Sequence, residues 1–254
     1  ARVVRADAAP PGPLAAPRAV REALRVPALG SPGGLVADGR RLWALDVDAE
    51  LWSFDPRQPG AAALGAPLAL DVAGAGAGAR AGAGEGEGAG WCDCVMGDLA
   101  RAPGANGPSL LAAFYANRLG RGGVTAVSIA DRAAPRQTAS WTAVDDPGLA
   151  GDPEHPVVAG YATFGERLLA TPGRAWLAGQ PLLTLVGFPA TGAPTLIGYA
   201  AGDGVLDDAH GLAVAAAPAG RAAWVGTDAG ELVRLEPSAP GAATWGVVAR
   251  APAE

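Results

Sequence analysis

Lysine is missing from this chain, so all 19 basic residues are arginine, and methionine occurs once. Isoleucine and asparagine are scarce too, a bias of the kind a GC-rich coding sequence imposes, so the arginines are not read as a recognition device. They form no basic run, and the net charge is −6. That excludes the positive footprint that nucleic-acid phosphates require. No apolar stretch approaches the roughly 18–20 residues of a membrane-crossing helix, because Gly, Pro and charges interrupt every one, so no transmembrane segment is expected. Histidine and cysteine number two each. His155, His210, Cys92 and Cys94 could in principle supply four zinc ligands, but their spacing gives that arrangement no support. No Ser-His-Asp order, Walker loop, dinucleotide-binding fingerprint or HExxH segment is present. No intact signal peptide opens the sequence. It starts at Ala1 rather than Met, and the expectation is a processed mature chain, extracytoplasmic or in an organelle lumen.

What is abundant is turn chemistry: 38 Gly and 23 Pro in 254 residues, with half the residues hydrophobic. Many short strands joined by turns would use both, around a sizeable core. The organising feature is a stretch written twice. Residues 34–56, GLVADGRRLWALDVDAELWSFDP, are echoed by 211–237, GLAVAAAPAGRAAWVGTDAGELVRLEP. Gly39, Arg40, Trp43, Glu50, Leu51 and Pro56 fall on Gly220, Arg221, Trp224, Glu231, Leu232 and Pro237 at a constant offset of 181. Each copy reads as three short strands. Such a unit cannot bury both faces alone, so copies must stack. The expected fold is therefore all-β, a propeller of four to six blades, with five as the expected number.

Residues 1–26 form an N-terminal arm in which 17–25 could make two helical turns or an outer strand. Residues 27–254 form a single propeller domain. Its first blade ends in a fourth strand near 66–72. Residues 73–90, AGAGAGARAGAGEGEGAG, are low complexity and lack side chains able to offset their ordering entropy, so they read as an exposed insertion. A second unit runs from Trp91 to 144, with strands at 110–115, 124–129 and 136–144. The third takes strands at 161–164, 167–171, 182–186 and 195–199, and the fourth is the second copy of the repeat, finishing at 243–249. Strand centres at Trp43, Phe114, Leu169 and Trp224 are 71, 55 and 55 residues apart, and removing the 18-residue insertion brings the first step to 53. The tryptophans in strand positions, Trp43, Trp141, Trp224 and Trp245, read as core or inter-blade packing.

Leu29-Gly30-Ser31-Pro32 followed by 41–48, RLWALDVD, and 51–56, LWSFDP, resembles the opening blade of gluconolactonase/regucalcin-like propellers. Residues 208–214, DAHGLAV, with 223–226, AWVG, are similar to a later blade of that family and to NHL-repeat and streptogramin-lyase-like propellers. The match covers about sixty residues in two places, and the chain reads as a degenerate member. The resemblance implies a divalent metal at the mouth of a central channel, held by a Glu and an Asp. Here Ser31 stands at the first position and His210 at the second, and a hard cation prefers carboxylate oxygens.

Candidate catalytic residues are Asp207, Asp208 and His210, ahead of an inner strand; a neighbouring carboxylate raises an imidazole toward working pH. The alternative is a polar turn closed by Gly211. Asp46 and Asp48, two apart, would share a strand face and could hold a cation; they could equally be a solvated strand end. Cys92 and Cys94 are a thiol pair, a disulfide if a bulge closes their separation, or metal ligands. Asp145, Asp146, Asp152 and Glu154 make an acidic loop that reads as a solvated surface, a docking surface or a weak calcium site. The expectation is a non-catalytic binding or scaffold module with a protein partner, a peripheral subunit of a larger assembly. The competing expectation is a lactone hydrolase or lyase using calcium or zinc with Asp207, Asp208 and His210.

Overall fold

The computed structural model describes residues 2–5, 21–25, 32–46, 49–58, 64–71, 94–104, 107–116, 121–143, 146, 167–178, 182–189, 192–201, 209–213, 222–227, 230–239 and 245–252. Every regular element among them is a strand. The first two, β1 (Arg2–Arg5) and β2 (Arg21–Arg25), pair antiparallel as a two-stranded sheet, so of the two options for 17–25 the strand is adopted at its end.

The other sixteen strands make four sheets, each of four strands in chain order and all antiparallel. Sheet 1 holds β3 (Pro32–Ala37), β4 (Leu42–Asp46), β5 (Glu50–Phe54) and β6 (Leu68–Ala69). Sheet 2 holds β7 (Cys94–Gly104), β8 (Gly107–Ala116), β9 (Arg121–Ser128) and β10 (Arg136–Thr142). Sheet 3 holds β11 (Arg167–Thr171), β12 (Arg174–Ala178), β13 (Leu182–Gly187) and β14 (Thr195–Ala201). Sheet 4 holds β15 (Ala209–Ala213), β16 (Ala223–Thr227), β17 (Glu231–Pro237) and β18 (Trp245–Pro252).

The sequence repeat is a structural repeat. Strand β16 is β4 displaced by 181 residues at both ends, and Leu42↔Phe54 recurs as Ala223↔Leu235. Register and irregularity are also copied. Pro32 faces Asp46 and Gly34 faces Leu45 with a bulge between, just as Ala209 faces Thr227 and Gly211 faces Gly226. The turn that follows is the same: Ala49 N donates to Asp46 O and Gly230 N to Thr227 O, with both residues at positive φ (58° and 71°). The first turn is four residues longer in sheet 4, and the connection to the fourth strand is two residues longer, with Glu50↔Ala69 answered by Glu231↔Pro252.

The third unit departs from the sequence reading. Its second strand is β12, not 167–171, because a tight turn at Pro172-Gly173 (Gly173 φ 68°) sends the chain straight back from β11. The strand read at 161–164 lies outside the described residues. Trp176, not Leu169, is thus the counterpart of Trp43 and Trp224. The steps between Trp43, Phe114, Trp176 and Trp224 are 71, 62 and 48 residues, so the near-constant spacing does not hold.

The sheets stack in chain order because successive side chains of a strand point to opposite faces. In β8, Leu110, Ala112 and Phe114 pack toward sheet 1, beside Trp43, Leu45 and Leu51. The alternate residues Leu111 and Ala113 pack toward sheet 3, beside Leu168, Ala175 and Leu177. Burial on both faces is why 110–115 reads as an unbroken apolar run. Sheet 3 repeats this: Trp176, Leu183 and Leu185 meet Ala223, Val225, Val233 and Leu235 of sheet 4. Trp176 also sets its ring edge-on to Trp245, centroids 5.2 Å apart at 80°, a geometry worth about 0.5–1.5 kcal/mol beyond area burial.

Candidate functional site

The first strands of the four sheets run side by side: β3 against β7, β7 against β11, and β11 against β15. Approach is close enough that a Cβ on Gly34 would overlap the Leu99 backbone nitrogen, so glycine is required there. His210 lies on the last strand of this row, β15. The register skips from Ala209 to Gly211, which makes His210 the extra residue of the β15 bulge. Bulges re-aim side chains and concentrate beside functional sites. The His210 side chain is outside the described residues, as are Asp207 and Asp208 entirely.

Asp46 ends β4, at the position Thr227 occupies in sheet 4, and hence at the same end of the strand frame as the bulge. It is 1% exposed and has an interaction partner, so it is not a solvated strand end. Asp48 lies outside the described residues. So do Ser31, Cys92, Asp145, Asp152, Glu154, His155 and the 73–90 insertion. Cys94 opens β7 opposite Ala116. Among the described residues no three His, Cys, Asp or Glu side chains gather as a metal site, and no helix is long and apolar enough to cross a membrane.

Three of the described carboxylates instead fasten sheets together. Asp38, with a fully buried side chain, caps its own turn by accepting from Arg40 N (2.8 Å) and Arg41 N (2.7 Å). Its second oxygen accepts from Arg132 Nε (2.6 Å) in the β9–β10 turn, joining sheet 1 to sheet 2. Burial alone would push this carboxyl up, but the Arg41 amide, the Arg132 guanidinium and the Arg40 amide together outweigh it and hold it well below the usual carboxylate range. Asp98 accepts from its neighbour Leu99 N (2.8 Å) and from Leu168 N (3.1 Å) on sheet 3. Asp146 accepts from the Trp141 indole (2.7 Å) and from Leu196 N (3.1 Å), again bridging sheets 2 and 3. The acidic-loop reading is thereby corrected for Asp146: it is a structural acceptor, not a solvated charge. Gln137 completes the set, exchanging two hydrogen bonds with the backbone of Asp71 (2.8 and 2.9 Å) as an extra strand residue would. Nearer the surface, the exposed Arg57 pulls the partly buried Asp55 down to about 2.

None of these fasteners was read from the sequence, since their partners lie 50 to 94 residues away. Only the Asp38-Gly39 pair carried a local signal, that of a side chain closing its own turn.

No protein-family model matches the chain, and no curated protein is significantly similar to it. The resemblance to gluconolactonase-like and NHL-like propellers stands on the quoted residues alone.

Proposed function

We propose that the four sheets are blades of a β-propeller and that the protein is a non-catalytic binding or scaffold module, a peripheral subunit of a larger assembly. The observation that carries this reading is the use made of three described carboxylates. Asp38, Asp98 and Asp146 each bind backbone or arginine donors of another turn or sheet, which builds a rigid stack. The succession β3, β7, β11, β15 along an inner row supports the propeller arrangement, in which first strands surround an axis. A rigid platform of this kind presents its loops to a protein partner, with the 73–90 insertion among them.

One observation favours a second reading, a metal-dependent lactone hydrolase or lyase: His210 is the bulged residue of an inner strand, in the place where an imidazole base with Asp207 and Asp208 would face a channel. Metal content separates the two. Purified protein is expected to hold no stoichiometric calcium or zinc and to leave simple lactones intact. Stoichiometric metal that is lost on His210→Ala would overturn the scaffold reading in favour of the enzyme.

A further inference from the structure

The antiparallel order of each sheet puts its second-to-third connection and its exit to the next sheet at one end of the strands, and its other two connections at the opposite end. Sheets 1 and 2 stand with corresponding ends together, since the Asp38 carboxylate in the first turn of sheet 1 meets Arg132 in the β9–β10 turn of sheet 2. This frame sorts charge that is mixed along the sequence. The connections at the first end, 47–49, 70–93, 117–120, 143–166, 179–181, 202–208 and 228–230, hold 14 acidic residues and two arginines. Those at the opposite end, 38–41, 55–67, 105–106, 129–135, 172–173, 188–194, 214–222 and 238–244, hold three acidic residues and five arginines. Charged strand residues beside the first end cancel, with Asp46, Glu50 and Glu231 set against Arg121, Arg167 and Arg250. At the opposite end all three carboxylates are engaged: Asp38 with Arg132, Asp55 with Arg57, and Asp131 with the Ala133 amide. One end of the strand frame is therefore strongly acidic.

The N-terminal arm is attached at that same end. Pro32, which opens β3, pairs with Asp46, and the seven residue steps from Arg25 to Pro32 reach at most about 25 Å. Within the arm, β1 and β2 pair with each other and hydrogen-bond to none of the four sheets. Their register sets Arg2 opposite Arg25 and Arg5 opposite Arg21, with Val3 opposite Leu24 and Val4 opposite Glu22. Opposed residues share a face, so pairing gathers four scattered arginines on one face of the hairpin. Like charges directly opposite destabilise a strand pair, and a two-stranded sheet alone is marginal in water. Such a hairpin needs a counter-charge, and the acidic end lies within reach of its tether.

We infer that the acidic end is a docking face for an arginine-rich element, and that the chain's own β1–β2 hairpin occupies it through the face of Arg2, Arg5, Arg21 and Arg25. A short tether holds such a segment at a local concentration of about millimolar, so weak charge pairing suffices to seat it. A basic partner binds there by displacing the hairpin. The inference needs only the order and direction of the sheets. It goes beyond the scaffold reading, which leaves the docking end and its charge unassigned.

The test uses the full chain with Arg5→Lys and Arg21→Lys, which keep the charge and give the protein its only two lysines. A carbodiimide joins a lysine to a touching carboxylate without a spacer, and peptide mass spectrometry locates the bonds. Within-chain links are expected from positions 5 and 21 to carboxylates of 70–93, 143–166 or 202–208. They should be strong at about 0.01 M salt and largely lost at about 1 M, where the screening length falls from about 30 Å to about 3 Å. Links to Asp38, Asp131 or Glu236, links only between chains, or no links beyond the arm would overturn the inference. A second measurement titrates a fluorescent nona-arginine peptide into the unchanged chain and into one carrying Arg2→Gln, Arg5→Gln, Arg21→Gln and Arg25→Gln. The variant should bind the peptide about tenfold more tightly, because its own arm no longer competes. Equal affinities would overturn the inference. Neither measurement involves a partner protein, so loss of the scaffold reading leaves the docked hairpin standing, and a failed link leaves the scaffold reading untouched.

Discussion

Sheets 1 and 4 share a strand frame down to the bulge and the positive-φ turn, yet their surroundings differ. Sheet 1 is buried on both faces of β4 and β5, whereas sheet 4 is buried on the face toward sheet 3 and open on the other. The repeat therefore encodes the hairpin and its register, and the neighbours are encoded by what fills each face. Where one copy has Leu45, the other has Gly226, and where one has Ser53 the other has Arg234. A common frame can thus be kept while the residues that fill its faces diverge.

The largest effect is expected at the paired positions Phe54 and Leu235, both 1% exposed. Phe54→Ala should cost about 3–5 kcal/mol and Leu235→Ala about 2–5 kcal/mol, because each leaves a cavity in a packed face. Urea unfolding of both variants measures this. A cost below about 1 kcal/mol at Phe54 would mean that the cluster around it is not packed, and the likeness between the two faces would fail.

The next effect lies in what the copies do not share. Asp38 fastens sheet 1 to sheet 2, while the equivalent position in the second copy is Ala219. Asp38→Ala should cost about 2–4 kcal/mol, since it leaves the Arg40 and Arg41 amides and the Arg132 guanidinium without their acceptor. Its pH signature follows from the sign of the shift. The folded-state pKa lies below the ordinary value of about 3.9, so the contribution is fully present above that value and is lost as pH falls through the lower, folded value. Asp38→Asn should flatten the acid limb of a stability–pH curve and change little of its shape above about pH 5. An unchanged acid limb would mean the carboxylate is not the fastener.

The smallest effect compares Ala49 with Gly230. Gly230→Ala should cost about 1 kcal/mol from the left-handed backbone alone, since nothing lies within 4 Å of the added methyl. Ala49→Gly should gain less than that, because relief at φ 58° is partly offset by the loss of a buried methyl. Thermal melts of the two variants would show opposite signs; matching signs would break the equivalence of the turns.

The strands of sheets 1 and 4 were legible because the repeat is carried by local features: a turn glycine, an apolar alternation and a closing proline. In sheet 3 the strands at 167–171, 182–186 and 195–199 were legible too, but β12 was missed, because Leu169 and Trp176 both sit in apolar runs and only the short Pro172-Gly173 turn says which strand is second. Phe114 looked equivalent to Trp43 by spacing, but it faces sheet 1 where Trp43 faces sheet 2, a one-residue slip that reverses the face. The fasteners were beyond local reading altogether. Asp146 in a proline-flanked acidic stretch looks like any solvated loop until Trp141 and Leu196, five and fifty residues away, are seen to converge on it. His210 was noticed for its chemistry, and the bulge it occupies in the first strand of sheet 4 depends on pairing with β16 that spacing alone does not disclose.

A crystal structure of the full chain tests the arrangement most directly. It should show sheets 1 to 4 related by successive rotations about a single axis, with β3, β7, β11 and β15 innermost and sheet 4 seated against sheet 1. Sheets 1 and 4 found in separate layers with no common axis, as in a sandwich, would contradict it.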